Sequence, residues 1–600
     1  MTKSTSKYVV VGILLILNVL LYWFWAFPFR SVLGYREEMQ LFQTVAAYFA
    51  SLAARPGGIS TYVGEFLTQF FNNYWIGAAV MTVLMMLFAA GCFLVLRKLR
   101  RDAGVGLCSA LVLIPLTALW LFMGNQNVTV AFVVALAITL WATVLFLSCI
   151  DGSRRCFGGS RCGVAATVVA LLLTALLYYV AGPVAIVFPV LIIARGVMLP
   201  GKSEPQERRV GSSLVWIGCG AVVWLAANVA VWSLWLPYPL SYQLIGIGYV
   251  LNPDKLLLGQ VLVEAIIVII PFLLYLLVRI PRKVLIPALV VADVAAAAFL
   301  FPKAYDAATY RFIDYDYMVR ANDWDGIIEY SDRHAPDLPL TVSAANLALG
   351  MTGQLDARAF DYFQHGAEGL VPPFLKETLS SWTTGEILFQ LGLVNSAQRF
   401  YFEGMEAIPN YNKSARAVKR LAETAMIRGE YALAGKYLKL LENTLFYKKW
   451  AGRNLELIKQ PEAIDAHPLY GAMRRSMIDE TYMFSEGELD KTFGQLFLKN
   501  PGNTLARQYL VVYPLLQRDL NKFSQYMGVV AEKYPQYNPL LAQQALAFMS
   551  MKSGQPMPQG MVSPAVEQSL RAFAQAWTSR NPDLIAAHRN SLFHYLLSEQ

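Results

Sequence analysis

Cysteine and histidine are scarce in this sequence of 600 residues, which holds six of the first and five of the second. Cys219 is the last cysteine, so no disulfide framework holds the second half of the chain together. His334 is the first histidine, which excludes a histidine-based metal site from the first half. The histidines form no i, i+4 pair and no zinc-type spacing with cysteine, so no metal-ligand residues are predicted.

Charged residues are also few, at 15% against 56% hydrophobic residues, and the mean hydropathy is +0.42. Such a chain is too apolar for one soluble globule and too long for one domain. The net charge of +9 comes without a Lys/Arg tract interleaved with aromatic residues, so nucleic acid is not a predicted partner. Walker, G-x-S-x-G, Rossmann and H-E-x-x-H motifs are lacking, which leaves ATPase, hydrolase and dehydrogenase functions without support.

Long apolar runs fill the first half, and each is close to the roughly 20 residues that a membrane-spanning helix needs. These runs are 8–27, 75–96, 105–123, 127–149, 164–181, 183–200, 211–236, 259–279 and 284–301. The second half instead mixes charged and apolar residues at helical spacing. The prediction is an all-α protein: a polytopic transmembrane helical bundle of about nine spans over residues 1–302, followed by a soluble helical domain over residues 303–600.

Basic residues fall in every second loop of the first half, in the segments 97–101, 154–161, 202–209 and 279–283. The loops 124–127 and 237–252 between them carry no Lys or Arg. By the positive-inside rule the N-terminus is cytoplasmic and residues 303–600 lie on the opposite side, which in a bacterial inner membrane is the periplasm. Glu264 and Asp293 are the acidic exceptions within the spans, and a carboxylate in a membrane is costly enough to be a functional hypothesis. The alternative, which we expect, is that both lie near span ends, in contact with lipid headgroups.

The longest loop of the first half is 28–74, on the outer side. Apolar residues at i, i+3, i+4 and i+7 predict an amphipathic helix from Glu37 to Ala54, a break at 55–58 and a second helix from 62 to 71. Glu37 and Glu38 would then occupy the first helical turn, where the helix dipole favours carboxylates, with Arg36 beside them for charge balance.

This arrangement resembles the GT-C class of membrane glycosyltransferases, mainly over residues 1–300. Those enzymes have a cytoplasmic N-terminus, one span, and a long outer loop of two surface helices with an acidic residue near its start. The resemblance implies that Glu38 or Glu37 deprotonates or orients the acceptor, while a polyprenyl-phosphate sugar bound between the spans is the donor. The next outer loop, 123–127, has no carboxylate. This departs from the GT-C pattern and leaves the participation of a divalent cation open.

The resemblance also directs attention to residues that could contact the donor. Tyr35 and Arg36 precede the two glutamates, and the loop 237–255 adds Tyr242, Gln243 and Lys255. A plain interfacial loop is the alternative for the second group.

The second half carries an internal repeat with a period of 34 residues. One copy has Gly385, Gly392, Ala397, Tyr401, Gly404 and Pro409 at the small, turn, small, aromatic, small and proline positions. Weaker copies have their turns at Gly429, at Arg518 and at Asn322. This pattern is typical of tetratricopeptide-like α-solenoids, whose concave surface commonly binds protein or peptide partners.

A second resemblance extends over nearly the whole chain. The segments YREEMQLFQ at 35–43, ARPGG at 54–58, FLTQFF at 66–71 and the stretch 436–451 are similar to an uncharacterised family of membrane proteins of Bacteroides-type bacteria. The resemblance implies no activity, because that family is known as a domain of unknown function.

Three functions therefore stay open. The first is the GT-C-like transferase, and the second is a non-enzymatic periplasmic scaffold that binds partner proteins through its helical repeats. The third is a transporter, for which Pro115, Pro189 and Pro271 would supply kinks but no matching pair of interrupted spans is found.

Overall fold

A computed structural model describes residues 3–100, 103–152, 160–199, 205–251, 253–409, 413–478 and 488–598, apart from the side chains of 3–14, 160–162, 205–208 and 253–257. Throughout these residues the regular structure is helical, and a single antiparallel bridge joins Val128 to Val250. The predicted all-α class is confirmed.

The chain divides into two compact units. The first comprises Met1–Ala307 and Asn443–Phe446, and the second comprises Ala308–Glu442 and Tyr447–Gln600. The assignment of the predicted domains, 1–302 and 303–600, to membrane and periplasm stays a prediction.

The first unit is built from thirteen α-helices within the described residues. They are α1 (Lys3–Ala26), α2 (Arg30–Glu38), α3 (Ala46–Ala53), α4 (Gly58–Thr68), α5 (Tyr74–Leu99), α6 (Val105–Gly124), α7 (Val130–Gly152), α8 (Ser160–Ala181), α9 (Val187–Met198), α10 (Pro205–Trp235), α11 (Leu240–Ile245), α12 (Pro253–Leu277) and α13 (Arg282–Ala304). Short 3-10 helices at Gln69–Asn72 and Gly182–Ile186 follow α4 and α8.

The described part of the chain holds seven helices long and apolar enough to cross a membrane, or up to eight if the bent pair Leu15–Ala26 and Arg30–Glu38 counts as one span. The chain is therefore a multi-pass membrane protein. The higher number is one below the predicted nine because the fifth and sixth predicted spans fall in one continuous run, Gly163–Met198.

That run of 36 residues does not continue in one direction. Arg195 in α9 donates to the carboxylate of Asp151, one residue before the end of α7, at 3.3 Å. The eight residue steps from Gly152 to Ser160 reach at most about 29 Å, whereas a straight helix from Ser160 to Arg195 would be about 52 Å long. The chain therefore reverses between α8 and α9, at the 3-10 segment that begins with Gly182 (φ +67°).

The segment 28–74 differs from its prediction. The predicted helix Glu37–Ala54 is wrong, because α2 ends at Glu38 and α3 begins only at Ala46. In the non-helical link the ring of Phe42 packs against those of Tyr62 and Phe66 in α4, with centroids 5.1 and 5.7 Å apart. Tertiary packing therefore overrides the helical periodicity of this segment.

The predicted break at 55–58 is confirmed. Gly57 adopts φ +75°, a left-handed conformation that favours glycine. The second predicted helix, 62–71, exists as α4, but it begins and ends earlier, and Gln69–Asn72 form a 3-10 turn.

Asp293 does not lie near a span end as predicted. It is eleven residues from each end of α13 and accepts a hydrogen bond from the Thr117 hydroxyl at 3.0 Å. The side chain is half-buried, so it is a mid-span carboxylate with a neighbouring helix as its donor.

The second unit consists of a series of mostly short helices. They are α14 (Ala307–Ala321), α15 (Trp324–Arg333), α16 (Pro339–Met351), α17 (Leu355–Arg358), α18 (Thr378–Leu391), α19 (Val394–Glu406), α20 (Ala415–Arg428), α21 (Tyr431–Glu442), α22 (Lys448–Leu457), α23 (Pro461–Ala466), α24 (Tyr470–Ser476), α25 (Leu489–Lys499), α26 (Thr504–Leu516), α27 (Leu520–Lys533), α28 (Leu540–Ser553), α29 (Pro564–Ser579), α30 (Pro582–Ala586) and α31 (Leu592–Leu597). Two 3-10 turns, Ala359–Asp361 and Gly366–Gly369, follow α17.

All four predicted repeat turns connect consecutive helices with a left-handed residue: Gly392 (φ +94°), Gly429 (+81°), Arg518 (+59°) and Asn322 (+53°). The helices of the best copy touch as the pattern predicts, since a Cβ at Gly385 would lie 3.0 Å from the Tyr401 ring. The turns are confirmed, and the classification as a tetratricopeptide-like solenoid stays a prediction.

Candidate functional site

The last turn of α2 carries three buried charged residues. Arg36, Glu37 and Glu38 are 4%, 1% and 2% exposed. Arg36 donates from Nη2 to the backbone carbonyls of Met123 and of Asn125, the latter at 2.7 Å. Its guanidinium carbon lies 5.6 Å from the centre of a Trp25 ring. The guanidinium thus ties the end of α2 to the end of α6.

Glu37 and Glu38 lie at the C-terminal end of a helix, whereas the sequence predicts them at an N-terminal end. They close α2 instead of opening a helix, so the backbone dipole there disfavours their negative charge. The dipole explanation of these residues is therefore wrong. Carboxylates buried at a helix C-terminus are costly, and Arg36 in the same turn supplies a compensating positive charge.

The other predicted contact residues belong to the segment after α10. Gln243 in α11 is 3% exposed, and its Nε2 donates to the Tyr238 carbonyl at 3.4 Å. Tyr242 and Tyr35 are half-buried. The side chain of Lys255 lies outside the described residues.

Tyr249 holds the segment after α11 in place, and the sequence analysis missed it. Its hydroxyl donates to the carbonyl of Ala181, and its ring lies 5.5 Å from that of Phe132. Gly246 (φ +108°) and Gly248 (φ +115°) adopt conformations that other residues rarely take. The G-x-G-Y spacing was the signal that could have identified this motif.

The five-residue link between α6 and α7 connects the two groups of predicted residues. On one side Arg36 binds the carbonyl of Asn125. On the other side the N–H of Leu251 donates to the carbonyl of Asn127 at 2.8 Å, and the N–H of Thr129 donates to that of Tyr249 at 2.9 Å. Residues predicted separately from two loops therefore lie at the same end of the helical bundle.

Gln260 and Glu264 extend the polar cluster into α12. Gln260 is 2% exposed, and its Nε2 donates to the carbonyl of Ile245 in α11 and to Glu264 Oε1 at 3.0 Å. Burial, together with the nearby Glu264 carboxylate, raises the pKa of Tyr249 well above its ordinary value. Glu264 is therefore part of this cluster and not an isolated residue at a span end.

A second missed pair joins α3 to α4. The Tyr48 hydroxyl in α3 donates to Oε2 of Glu65 in α4. Burial raises the pKa of Glu65 to about 7, although the bond from Tyr48 and the nearby Arg55 lower it. Glu65 thus titrates near neutral pH.

The acidic side chains of the described residues do not assemble into a metal site. No three histidine, cysteine, aspartate or glutamate side chains come together within the described ranges. Buried carboxylates, a guanidinium and amide oxygens are instead groups that hold a polar organic ligand or transfer a proton.

The comparisons with known proteins identify a family but no activity. The sequence profile of a family of unknown function, DUF6057, matches residues 5–599. The chain belongs to the DUF6057 family. This confirms the resemblance to an uncharacterised family, whose profile covers both units of the structure. No curated protein and no solved structure matches the chain.

Proposed function

We propose that this protein is a GT-C-like glycosyltransferase of the bacterial inner membrane, which uses a polyprenyl-phosphate sugar at the periplasmic face. The observation that carries the proposal is the burial of Arg36, Glu37 and Glu38 in one helical turn of a membrane unit. Charged side chains are expensive in such surroundings, so a group of three there is by default a candidate functional site.

The residue types fit the chemistry of sugar transfer. A carboxylate, Glu38 or Glu37, takes the proton of the acceptor hydroxyl as its oxygen bonds to the anomeric carbon. The bond between that carbon and the phosphate oxygen breaks, and polyprenyl phosphate leaves with both bonding electrons. Arg36 and Tyr35 stand beside the carboxylates, where a cationic and a hydroxyl group favour a phosphate. Tyr242, Gln243 and Lys255 remain the proposed contacts from the second loop.

The contacts between helix ends support a topology of nine crossings. One group of contacts joins Arg36 to Asn125, Gly57 to Tyr179, Thr129 to Tyr249, and Tyr305 to Leu121. The other group joins Lys98 to Asp151, Arg195 to Leu99, and Arg100 to Tyr275. Helix α7 runs from Thr129 in the first group to Asp151 in the second, and α9 leads from the end of α8 in the first group to Arg195 in the second, so α8 and α9 are separate arms. The basic loops fall in the second group, and by the positive-inside rule this supports an N-terminus in the cytoplasm and residues 303–600 in the periplasm.

The test is envelope glycan and glycoprotein profiling of cells in which Glu38→Gln or Glu37→Gln replaces the wild-type protein. We expect one of these variants to lose one glycan species, because an amide cannot accept the acceptor proton. Glu532→Gln, on the exposed surface of α27, is the matched control and leaves the profile unchanged. Each variant must first accumulate to the wild-type level in the membrane.

Unchanged glycans in both variants and in a deletion strain would refute the transferase. The second candidate, a periplasmic scaffold, would then become the working hypothesis. It is favoured by the helix pairs of the second unit, which meet at left-handed turns as in repeat proteins that bind peptides. A protein or peptide partner is a proposal for this unit alone.

A further inference from the structure

Acceptor oxygens accumulate where α11 packs against α12. The amide oxygens of Gln243 and Gln260 are both buried, and neither has a hydrogen-bond donor among the described residues. The carboxylate of Glu264 lies one helical turn beyond Gln260 on the same face of α12. Buried polar atoms are normally paired, so two unpaired oxygens of one kind point to a ligand.

The orientation of the Gln260 amide is fixed by its neighbours. Nε2 faces two acceptors, the Ile245 carbonyl and Glu264 Oε1, and only an amide nitrogen can donate to both. Oε1 therefore points away from them and requires a donor from elsewhere.

The hydroxyl of Tyr249 is not available to these oxygens, because it already donates to a backbone carbonyl. Tyr249 donates to the Ala181 carbonyl, on the side of the cluster formed by the end of α8. The side chains of Gln243, Gln260 and Glu264 thus present acceptors, and a complementary ligand has to bring several donors.

We propose that Gln243, Gln260 and Glu264 form a subsite that accepts hydrogen bonds from the hydroxyl groups of the donor sugar. This inference deepens the proposed function and rests on it. Amide and carboxylate oxygens are selective for a ligand rich in O–H groups, because an apolar ligand leaves each of them unpaired. The subsite belongs to the same end of the bundle as Glu38, since the link between α6 and α7 contacts both segments.

The experiment measures equilibrium binding to the full-length chain in lipid nanodiscs by native mass spectrometry. The probes are a polyprenyl phosphate and the same lipid carrying glucose, mannose or N-acetylglucosamine. The wild type should bind at least one sugar-bearing lipid about fivefold or more tightly than the sugar-free lipid. Gln260→Leu should remove that preference and leave the affinity for the sugar-free lipid unchanged.

Further variants keep the proposal falsifiable. Gln243→Leu should weaken the same preference, which protects the test if Gln260→Leu does not fold. Gln525→Leu, at an exposed position of α27, is the matched control and should behave as the wild type. Sodium ions are added in a separate series.

Three outcomes would overturn the proposal. In the first, the wild type binds no sugar-bearing lipid more tightly than the sugar-free lipid. In the second, Gln260→Leu and Gln243→Leu both keep the preference for the sugar-bearing lipid. In the third, these two variants lose sodium binding but keep the preference for the sugar-bearing lipid. Glu38→Gln and Glu37→Gln separate this proposal from the transferase, because the variant that lacks the base should lose transfer and both should retain sugar binding. Unchanged glycans with intact, Gln260-dependent sugar binding would therefore refute only the transfer step.

Discussion

Glu386 is the centre of a buried ion network in the second unit. The residue is 2% exposed, and Arg420 from α20 donates Nη2 to both its carboxylate oxygens, at 2.9 and 2.7 Å. Tyr401 and Gln390 add hydrogen bonds of 2.7 and 2.8 Å. One carboxylate thus connects three helices, α18, α19 and α20, by hydrogen bonds.

We expect Glu386→Gln to destabilise this region strongly. Arg420 keeps a second partner, since its Nη1 donates to Glu423 at 2.8 Å. The change therefore weakens charge-assisted hydrogen bonds without leaving an unpaired buried charge, and we expect a cost of about 1.5–3 kcal/mol. This is equivalent to an opening equilibrium raised by roughly 10-fold to 150-fold. The amide variant keeps the shape of the side chain, so lost packing contributes little.

Hydrogen exchange followed by mass spectrometry on the full-length protein measures this change. Peptides from α18 and α20 should lose protection by the stated factor, while peptides from α5 to α7 should not change. Glu406→Gln is the matched control, because it makes the same chemical change at an exposed position of α19. It should alter exchange by less than about threefold.

The pH dependence follows from the pKa of Glu386. Burial would raise this pKa, but the charge of Arg420 and the bonds from Tyr401 and Gln390 hold it below its ordinary value. The network therefore stabilises the fold above the unfolded pKa of about 4.3 and loses this contribution as the pH falls through the folded pKa. The difference in amide protection between the wild type and Glu386→Gln should stay constant from neutral pH to about pH 5 and become smaller below it. A variant that exchanges within fivefold of the wild type at neutral pH would refute the reasoning.

Two further perturbations test the end of the first unit that contains Gly246 and Glu65. Gly246→Ala should strongly reduce the amount of folded protein in the membrane, because its Cβ would lie 2.2 Å from the Tyr249 ring at a φ of +108°. Gly220→Ala in α10 is the control, because its Cβ would have no atom within 4 Å, and this variant should accumulate normally. An immunoblot of the membrane fraction compares the two variants, and equal accumulation would contradict the close packing at Gly246. Glu65 has a raised pKa of about 7, so its neutral form stabilises α3 and α4 at low pH, and this contribution is lost as the pH rises through 7. Amide protection of α3 and α4, corrected for the intrinsic rate, should fall between pH 6 and pH 8 in the wild type and stay level in Glu65→Gln; a fall of the same size in the variant would show that another group titrates.

The sequence determined the class of the protein and the places where its helices turn. Apolar length and the lack of charge require helices in the first half, since a membrane-spanning segment must satisfy its own backbone. The positions of Gly392 and Gly429 follow from the small and turn residues of the repeat, because those requirements are local in the chain. Even Asn322 and Arg518, which lack glycine's freedom, adopt the left-handed conformation between consecutive helices.

The site itself was decided by the tertiary structure. Residues 37–54 have the periodicity of a helix, but the side chain of Phe42 packs against α4 and the chain is not helical there. Glu37 and Glu38 therefore end α2 instead of beginning a helix. Contacts between residues far apart in the chain leave no periodic signal, and only packing joins Arg36 to Asn125 and Gln260 to Ile245. Local patterns fix helices because their hydrogen bonds are local, whereas a buried polar cluster depends on which helices become neighbours.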